Sequence, residues 1–158
     1  MAKASTVQQA PLRPDPALKR LDVLVGEWKL RGRTLGSQAD NVSAWSAFEW
    51  LPGGSFLKQS FEAEFAGLTI RSLEIIWYDR ESDTFPSMVY SNLAGEPIPY
   101  RYDIRGRDVT ITTDLAGGAR MTGRISDDGN SFSGEWRPNP GQKGPGNVAY
   151  DFVSTRVR

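Results

Sequence analysis

From Val25 onward the chain loses all helical periodicity, and turn-forming residues interrupt it about every 8 to 15 positions. That rhythm constrains the fold more than any other feature. It predicts ten strands, at 25–34, 43–51, 55–65, 68–78, 84–92, 97–105, 108–113, 119–126, 131–137 and 147–157. The breakers include Pro52-Gly53-Gly54, Ala66-Gly67, Gly106-Arg107, Gly117-Gly118, Asp128-Gly129 and a Pro/Gly-rich loop over 138–146. No segment between them is long enough for a crossover helix, so neighbouring strands run antiparallel. Consecutive strands of this kind remove their edges by closing, which predicts an all-β, ten-stranded, antiparallel up-and-down barrel.

Short turns fix which residues face each other, and three hairpins test the strand reading. Across Asp128-Gly129, Ile125 faces Phe132, Gly123 faces Gly134 and Met121 faces Trp136. Across Gly106-Arg107, Ile104 faces Val109, Tyr102 faces Ile111 and Tyr100 faces Thr113. Across Ala66-Gly67, Phe65 faces Leu68, Phe61 faces Ser72 and Leu57 faces Ile76, while Glu62 meets Arg71 on the other face. Each hairpin puts its apolar residues on one side and its charges on the other, as a half-buried sheet requires.

The two ends of the barrel carry complementary residues. Trp28 shares a face with Leu30 and Gly32, and Arg156 is in phase with Tyr150 and Phe152. If the first strand meets the last, Arg156 lies over the Trp28 indole and Gly26, Trp28 and Arg156 become the structural closure of the barrel. Ahead of the barrel, Asp15-Pro16 supplies an N-cap and a proline at the first helical position. Leu18, Leu21 and Val25 then give a short amphipathic helix an apolar side with which to cover a barrel end. Residues 1–14 read as a flexible tail, and 15–158 as one domain.

Composition removes whole classes of chemistry. With 19 basic and 19 acidic residues the net charge is zero, which speaks against nucleic acid or an anionic membrane as partner. Cysteine is absent, so there is no disulfide framework. No run approaches about 18 apolar residues and the N-terminus lacks a signal-peptide core, so the expected location is cytoplasmic. Histidine is absent too, which eliminates His-based triads and His-ligated zinc or haem. No cofactor is expected.

The Leu21–Gly32 stretch, LDVLVGEWKLRG, with its Gly-x-Trp and the answering Arg156, resembles the opening of calycin-type barrels. It is most similar to small bacterial lipocalin-like domains of unknown function, related in architecture to nitrobindin and the fatty-acid-binding proteins. Residues 52–56 and Trp77-Tyr78-Asp79 add to that likeness. The resemblance implies a ten-stranded barrel that holds a small hydrophobic ligand or haem. The chain departs from nitrobindin-like haem proteins in having no histidine for the iron.

The candidate site lies on the inner face. The Ala66-Gly67 hairpin places Gln59 opposite Glu74, among Leu57, Phe61, Ile70 and Ile76. A carboxylate among apolar residues is costly unless bonded, and such groups mark function. The competing arrangement is a bulge that turns Glu74 out and Leu73, Ile75 and Trp77 in. With Glu74 inward, that apolar stripe faces out beside Phe56 and suits a homodimer. Tyr100 and Tyr102 share the face of Ile104, either as core aromatics or as hydroxyls for a ligand's polar end. Gly123 opposite Gly134 either leaves room for a ligand or lets the strands coil. The outward arginines 101, 105, 107, 120, 124 and 137 interleave with acids and read as a solvated face.

The expected function is therefore non-catalytic binding of a small hydrophobic molecule. Its lining would be Gln59, Phe61, Glu74, Ile76, Tyr100, Tyr102, Ile111, Met121, Phe132, Trp136 and Phe152. Two alternatives stay open. One is a cofactor-independent acid–base enzyme, an isomerase or cyclase using Glu74 and Tyr102. The other is an interaction module with a self-filled barrel.

Overall fold

The computed structural model describes residues 12–142 and 148–157. Ten strands follow in chain order: β1 Gly26–Thr34, β2 Val42–Trp50, β3 Leu57–Phe65, β4 Leu68–Ile76, β5 Phe85–Ser91, β6 Ile98–Arg105, β7 Asp108–Thr113, β8 Ala119–Ile125, β9 Ser131–Pro138 and β10 Tyr150–Arg156. Each pairs antiparallel with the next, and β10 returns to β1 to close the barrel. The three short hairpins have the registers their turns dictate, including Phe61↔Ser72, Gln59↔Glu74, Tyr102↔Ile111 and Met121↔Trp136. Ala66 and Gly67 both adopt left-handed φ values, 47° and 90°, which match the turn to the strand twist.

Closure occurs through Trp28↔Arg156, Gly32↔Phe152 and Thr34↔Tyr150. The Arg156 guanidinium stands 4.2 Å from the Trp28 ring centre. Its nitrogens donate to the carbonyls of Gly129 (3.0 Å), Val23 (3.2 Å) and Val25. The indole Nε1 donates to Leu24 O at 2.8 Å. One pair of side chains thus joins the first strand, the last strand, the β8–β9 turn and the N-terminal segment. Gly26, at the start of β1, has a φ of 123°, where a side chain would be strained.

The N-terminal helix is a 3-10 helix over Pro16–Leu24, capped by the Asp15 side chain on Ala17 N. This refines the expected amphipathic helix in one respect. Leu18, Leu21 and Leu24 are buried, whereas Val25 has already become extended as the C-cap. A 3-10 helix has three residues per turn, so every third side chain stacks on one face. Three leucines at that spacing make a narrow ridge that plugs one end of the barrel. Of the expected tail, residues 1–11 lie outside the described residues, as do 143–146 of the expected 138–146 loop and 147 of the expected last strand.

An ion-pair latch holds the plug down. Asp83 accepts from Arg20 (2.6 Å), Arg105 (2.8 Å) and the Tyr78 hydroxyl (2.9 Å). Arg20 also donates to Ile104 O and lies over the Phe85 ring. Asp83 itself sits at φ 53°, at the end of the β4–β5 connection. Prolines at 86 and 99 fall inside strands, where a missing N–H normally breaks a ladder. Here Pro86 turns its carbonyl toward Trp77 and Pro99 toward Thr113, so neither missing donor belongs to the β5–β6 ladder.

Packing divides the barrel into two halves. Toward the plug, Leu57, Ile76, Phe85, Ile104, Val109, Met121 and Ile125 are essentially fully buried, and together with the three leucines they form the core. Toward the mouth, formed by the opposite set of loops, Phe65 and Tyr150 meet edge to face at 5.0 Å and Val42 and Ala63 are buried, while Ile70, Ser72 and Tyr100 keep part of their surface accessible.

Candidate functional site

The site is built where the packed half meets the mouth half. Glu74 lies on β4 two residues from the fully buried Ile76, and the β3–β4 register turns both inward. Its side chain is 4% exposed. No bulge interrupts the strand, so Leu73 (41% exposed) points out across from Tyr90 (49%), with Phe56 also at the surface. The apolar stripe therefore faces outward and the carboxylate inward.

Both carboxyl oxygens are held. The Ser87 hydroxyl donates to Oε1 at 2.6 Å, and the Tyr102 hydroxyl donates to Oε2 at 2.8 Å. Ser87 is on β5 opposite both Ile76 and Tyr100, and Tyr102 is on β6 opposite Phe85 and Ile111. Burial pushes the Glu74 carboxyl up to about 7, against the downward pull of the two hydrogen bonds. Tyr102 is pushed well above the usual phenol range by burial and by the neighbouring carboxylate. Tyr100 rises to about 12, also through burial first and the Glu74 charge second. Tyr150, opposite Trp136, is raised by burial as well.

Around this cluster, inward-facing Ser46, Phe48, Gln59, Phe61, Tyr100 and Trp136 keep part of their surface accessible, Phe48 and Trp136 while also packing against the core. Gln59 and Val89 are the register partners that flank Glu74 on either side. A separate depression of about 320 Å³ crosses the wall over β5, β6 and β7, where Ser87, Tyr100 and Thr113 line it together with Trp77, Pro86 and Met88.

The sequence-derived lining residues fall into two groups. Gln59, Phe61, Tyr100, Ile111, Phe132 and Trp136 are inward and partly accessible, whereas Ile76, Met121 and Phe152 are buried in the core. The Gly123–Gly134 pair is filled rather than vacant. A Cβ on Gly123 would come within 2.6 Å of the Phe132 ring, and one on Gly134 within 3.0 Å of Phe152. Those two rings meet edge to face at 5.4 Å. The glycines make room for the barrel's own aromatics.

Ser87 was not singled out from the sequence. A serine alternating with Phe85 and Val89 shares their face, but the long β4–β5 connection gave no register that would bring it to Glu74. The outward arginines are largely engaged: 105 with Asp83 and Asp103, 107 with Asp127, 124 with Asp108, and 137 with Glu135 and Asp151. Among the described residues no group of three or more acidic side chains is placed to hold a metal, and no helix is long and apolar enough to cross a membrane.

Fold and site together define a closed, ten-stranded barrel plugged at one end, with a bonded carboxyl at the boundary of its packed half. The architecture is shared with solved structures. Rv2717c from M. tuberculosis superposes with a TM-score of 0.59 at 18% identity, over 92% of this chain and 99% of its own. The S-type phycobiliprotein lyase CPES from Guillardia theta gives 0.54 at 11% identity, over 89% and 90%. At these identities the likeness is one of fold. No protein-family model and no curated protein matches the sequence.

Proposed function

We propose that this protein binds one small, largely hydrophobic molecule in the mouth half of the barrel and does so without catalysis or a resident cofactor. The observation that carries the reading is a doubly hydrogen-bonded carboxyl next to inward side chains that remain accessible. A barrel under selection for stability alone would fill itself with apolar side chains, because an isolated buried carboxylate costs free energy that a leucine does not. In this reading the ligand's apolar body lies against Phe61, Ile111 and Trp136, and its polar end meets Glu74, Ser87, Tyr102 and Gln59. The occurrence of the same fold in a phycobiliprotein lyase supports a barrel that receives a small molecule. The calycin resemblance of the first strand supports the same reading.

The test is titration with the neutral fluorophore N-phenyl-1-naphthylamine. Saturable binding near one per chain is expected, and Ser72→Trp, two residues mouthward of Glu74 on the inner face of β4, is expected to abolish it. Absence of saturable binding, or full binding by the filled variant, would sink the reading.

A second reading draws on the 2.8 Å contact between Tyr102 and a carboxyl poised near neutrality. In it the protein is a cofactor-independent isomerase or cyclase, with Glu74 as general base and Tyr102 as hydrogen-bond donor. Here Glu74→Gln would retain ligand and lose turnover.

A further inference from the structure

Away from its plugged end, the charge inside the barrel has one sign. Taking the inward phase of all ten strands, the side chains that carry a formal charge are Glu74 and Arg156. Arg156 belongs to the plugged end, and its nitrogens are engaged by the carbonyls of Gly129, Val23 and Val25 while its plane covers Trp28. It cannot serve an anion in the mouth half without giving up that closure.

The hydroxyls point the same way. Ser87 and Tyr102 each have a single O–H, and each donates it to Glu74. What those two oxygens can still offer a ligand is their lone pairs. The boundary layer between the packed and mouth halves thus gathers two carboxylate oxygens and two hydroxyl oxygens that have used their protons around one point. An incoming carboxylate would meet a second negative charge in a low-dielectric interior with no cation between them. An incoming ammonium or N–H would meet a carboxylate already held in place by Ser87 and Tyr102.

We infer, on the ligand-binding reading above, that the barrel selects a hydrophobic molecule whose polar end donates hydrogen bonds, an amine or protonated nitrogen heterocycle, and refuses carboxylates. The titratable groups facing this point are Glu74 on β4 and Tyr100 and Tyr102 on β6; the flanking β3 and β5 positions, Gln59, Ser87 and Val89, do not titrate. Near neutral pH the two tyrosines stay protonated, so Glu74 alone sets the charge a ligand meets.

The experiment compares decylamine, decanol and decanoate on the full chain at pH 8, by displacement of N-phenyl-1-naphthylamine. The amine is expected to bind at least about tenfold tighter than the carboxylate, with the alcohol between, since charge complementarity enters as a difference of affinities. Glu74→Gln is expected to bring amine and carboxylate affinities within about threefold of each other. If that variant does not fold, the decylamine-to-decanol affinity ratio of the unmodified protein at pH 5 and pH 8 answers the same question, because neither ligand titrates there and protonating Glu74 must shrink the amine preference. Decanoate binding as tightly as decylamine, or a preference indifferent to both Glu74→Gln and pH, overturns the inference and leaves the binding reading intact. No binding by any of the three, decanol included, overturns both.

Discussion

Trp28 and Arg156 are register partners across the seam that closes the barrel, and the guanidinium stacks on the indole at 4.2 Å. Removing the indole leaves a cavity at the plugged end and orphans the Leu24 carbonyl. Trp28→Ala is expected to cost about 3–5 kcal/mol in denaturant unfolding. Arg156→Lys keeps the charge but cannot reach three carbonyls with one ammonium, so part of the loss should remain, about 1–3 kcal/mol. A Lys variant as stable as the parent would mean that charge, and not planar geometry, secures the seam.

Stability should depend on pH through Glu74 in an unusual direction. Its carboxyl moves from an ordinary 4.5 up to about 7 on folding, so the folded state takes up the proton first. The contribution is fully present below about 4.5 and is lost as pH rises through about 7, a difference of roughly 3 kcal/mol by pH 9. Thermal unfolding of the parent should weaken from about pH 5 to 8, and Glu74→Gln should flatten that limb. A variant that still weakens as steeply would place the proton elsewhere.

Asp83 acts at the other end of the pH scale. Arg20, Arg105 and Tyr78 hold it well below the usual carboxylate range, so its contribution is present above an unfolded value near 3.8 and disappears as pH falls. Asp83→Asn should lower the melting temperature at neutral pH and expose the Pro16–Leu24 segment to limited proteolysis first. Because the cluster is solvent-exposed, added salt should narrow the gap between variant and parent. Equal proteolysis of variant and parent would show that the leucine ridge alone retains the plug.

Tyr102→Phe withdraws one of the two hydroxyl donors that hold the Glu74 carboxyl. The Glu74 carboxyl should rise further, visible as a shift in the pH at which its protonated C=O band disappears in difference infrared spectra. The cost is expected to be about 1–3 kcal/mol, and greater at pH 9 than at pH 6.

Gly134→Ala tests whether the glycine pair is packed or vacant. Its new Cβ would sit 2.6 Å from Thr122 O and 2.9 Å from Gly123 Cα, both backbone atoms that cannot swing away. A loss of about 1–3 kcal/mol is expected. A neutral or stabilised variant would show that the two strands separate freely there.

What could be read from the sequence depended on turn length. Where two strands are joined by a short turn, the sum of partner numbers is fixed, and Gln59↔Glu74 or Tyr102↔Ile111 follows directly. The β4–β5 connection is longer, and it hid both Ser87's approach to Glu74 and the left-handed Asp83 that anchors the plug. The inward phase of Glu74 was contested for a sound reason: it exposes Leu73, and the protein accepts that exposure. The helix was legible as a leucine ridge, but Leu18-x-x-Leu21 fits either helical pitch. Only Leu24, not Val25, continuing the ridge distinguishes three residues per turn from 3.6.

The seam between β1 and β10 also bears on how the molecule is made. Arg156 reaches carbonyls 131 and 133 residues earlier in the chain, so the seam cannot close until β10 has been made and is free to fold. Until then the nascent chain is an uncurled ribbon with a bare margin on either side, and such long-range pairing is intrinsically slow. The period of greatest risk for clumping with neighbours is therefore the interval before β10 reaches β1.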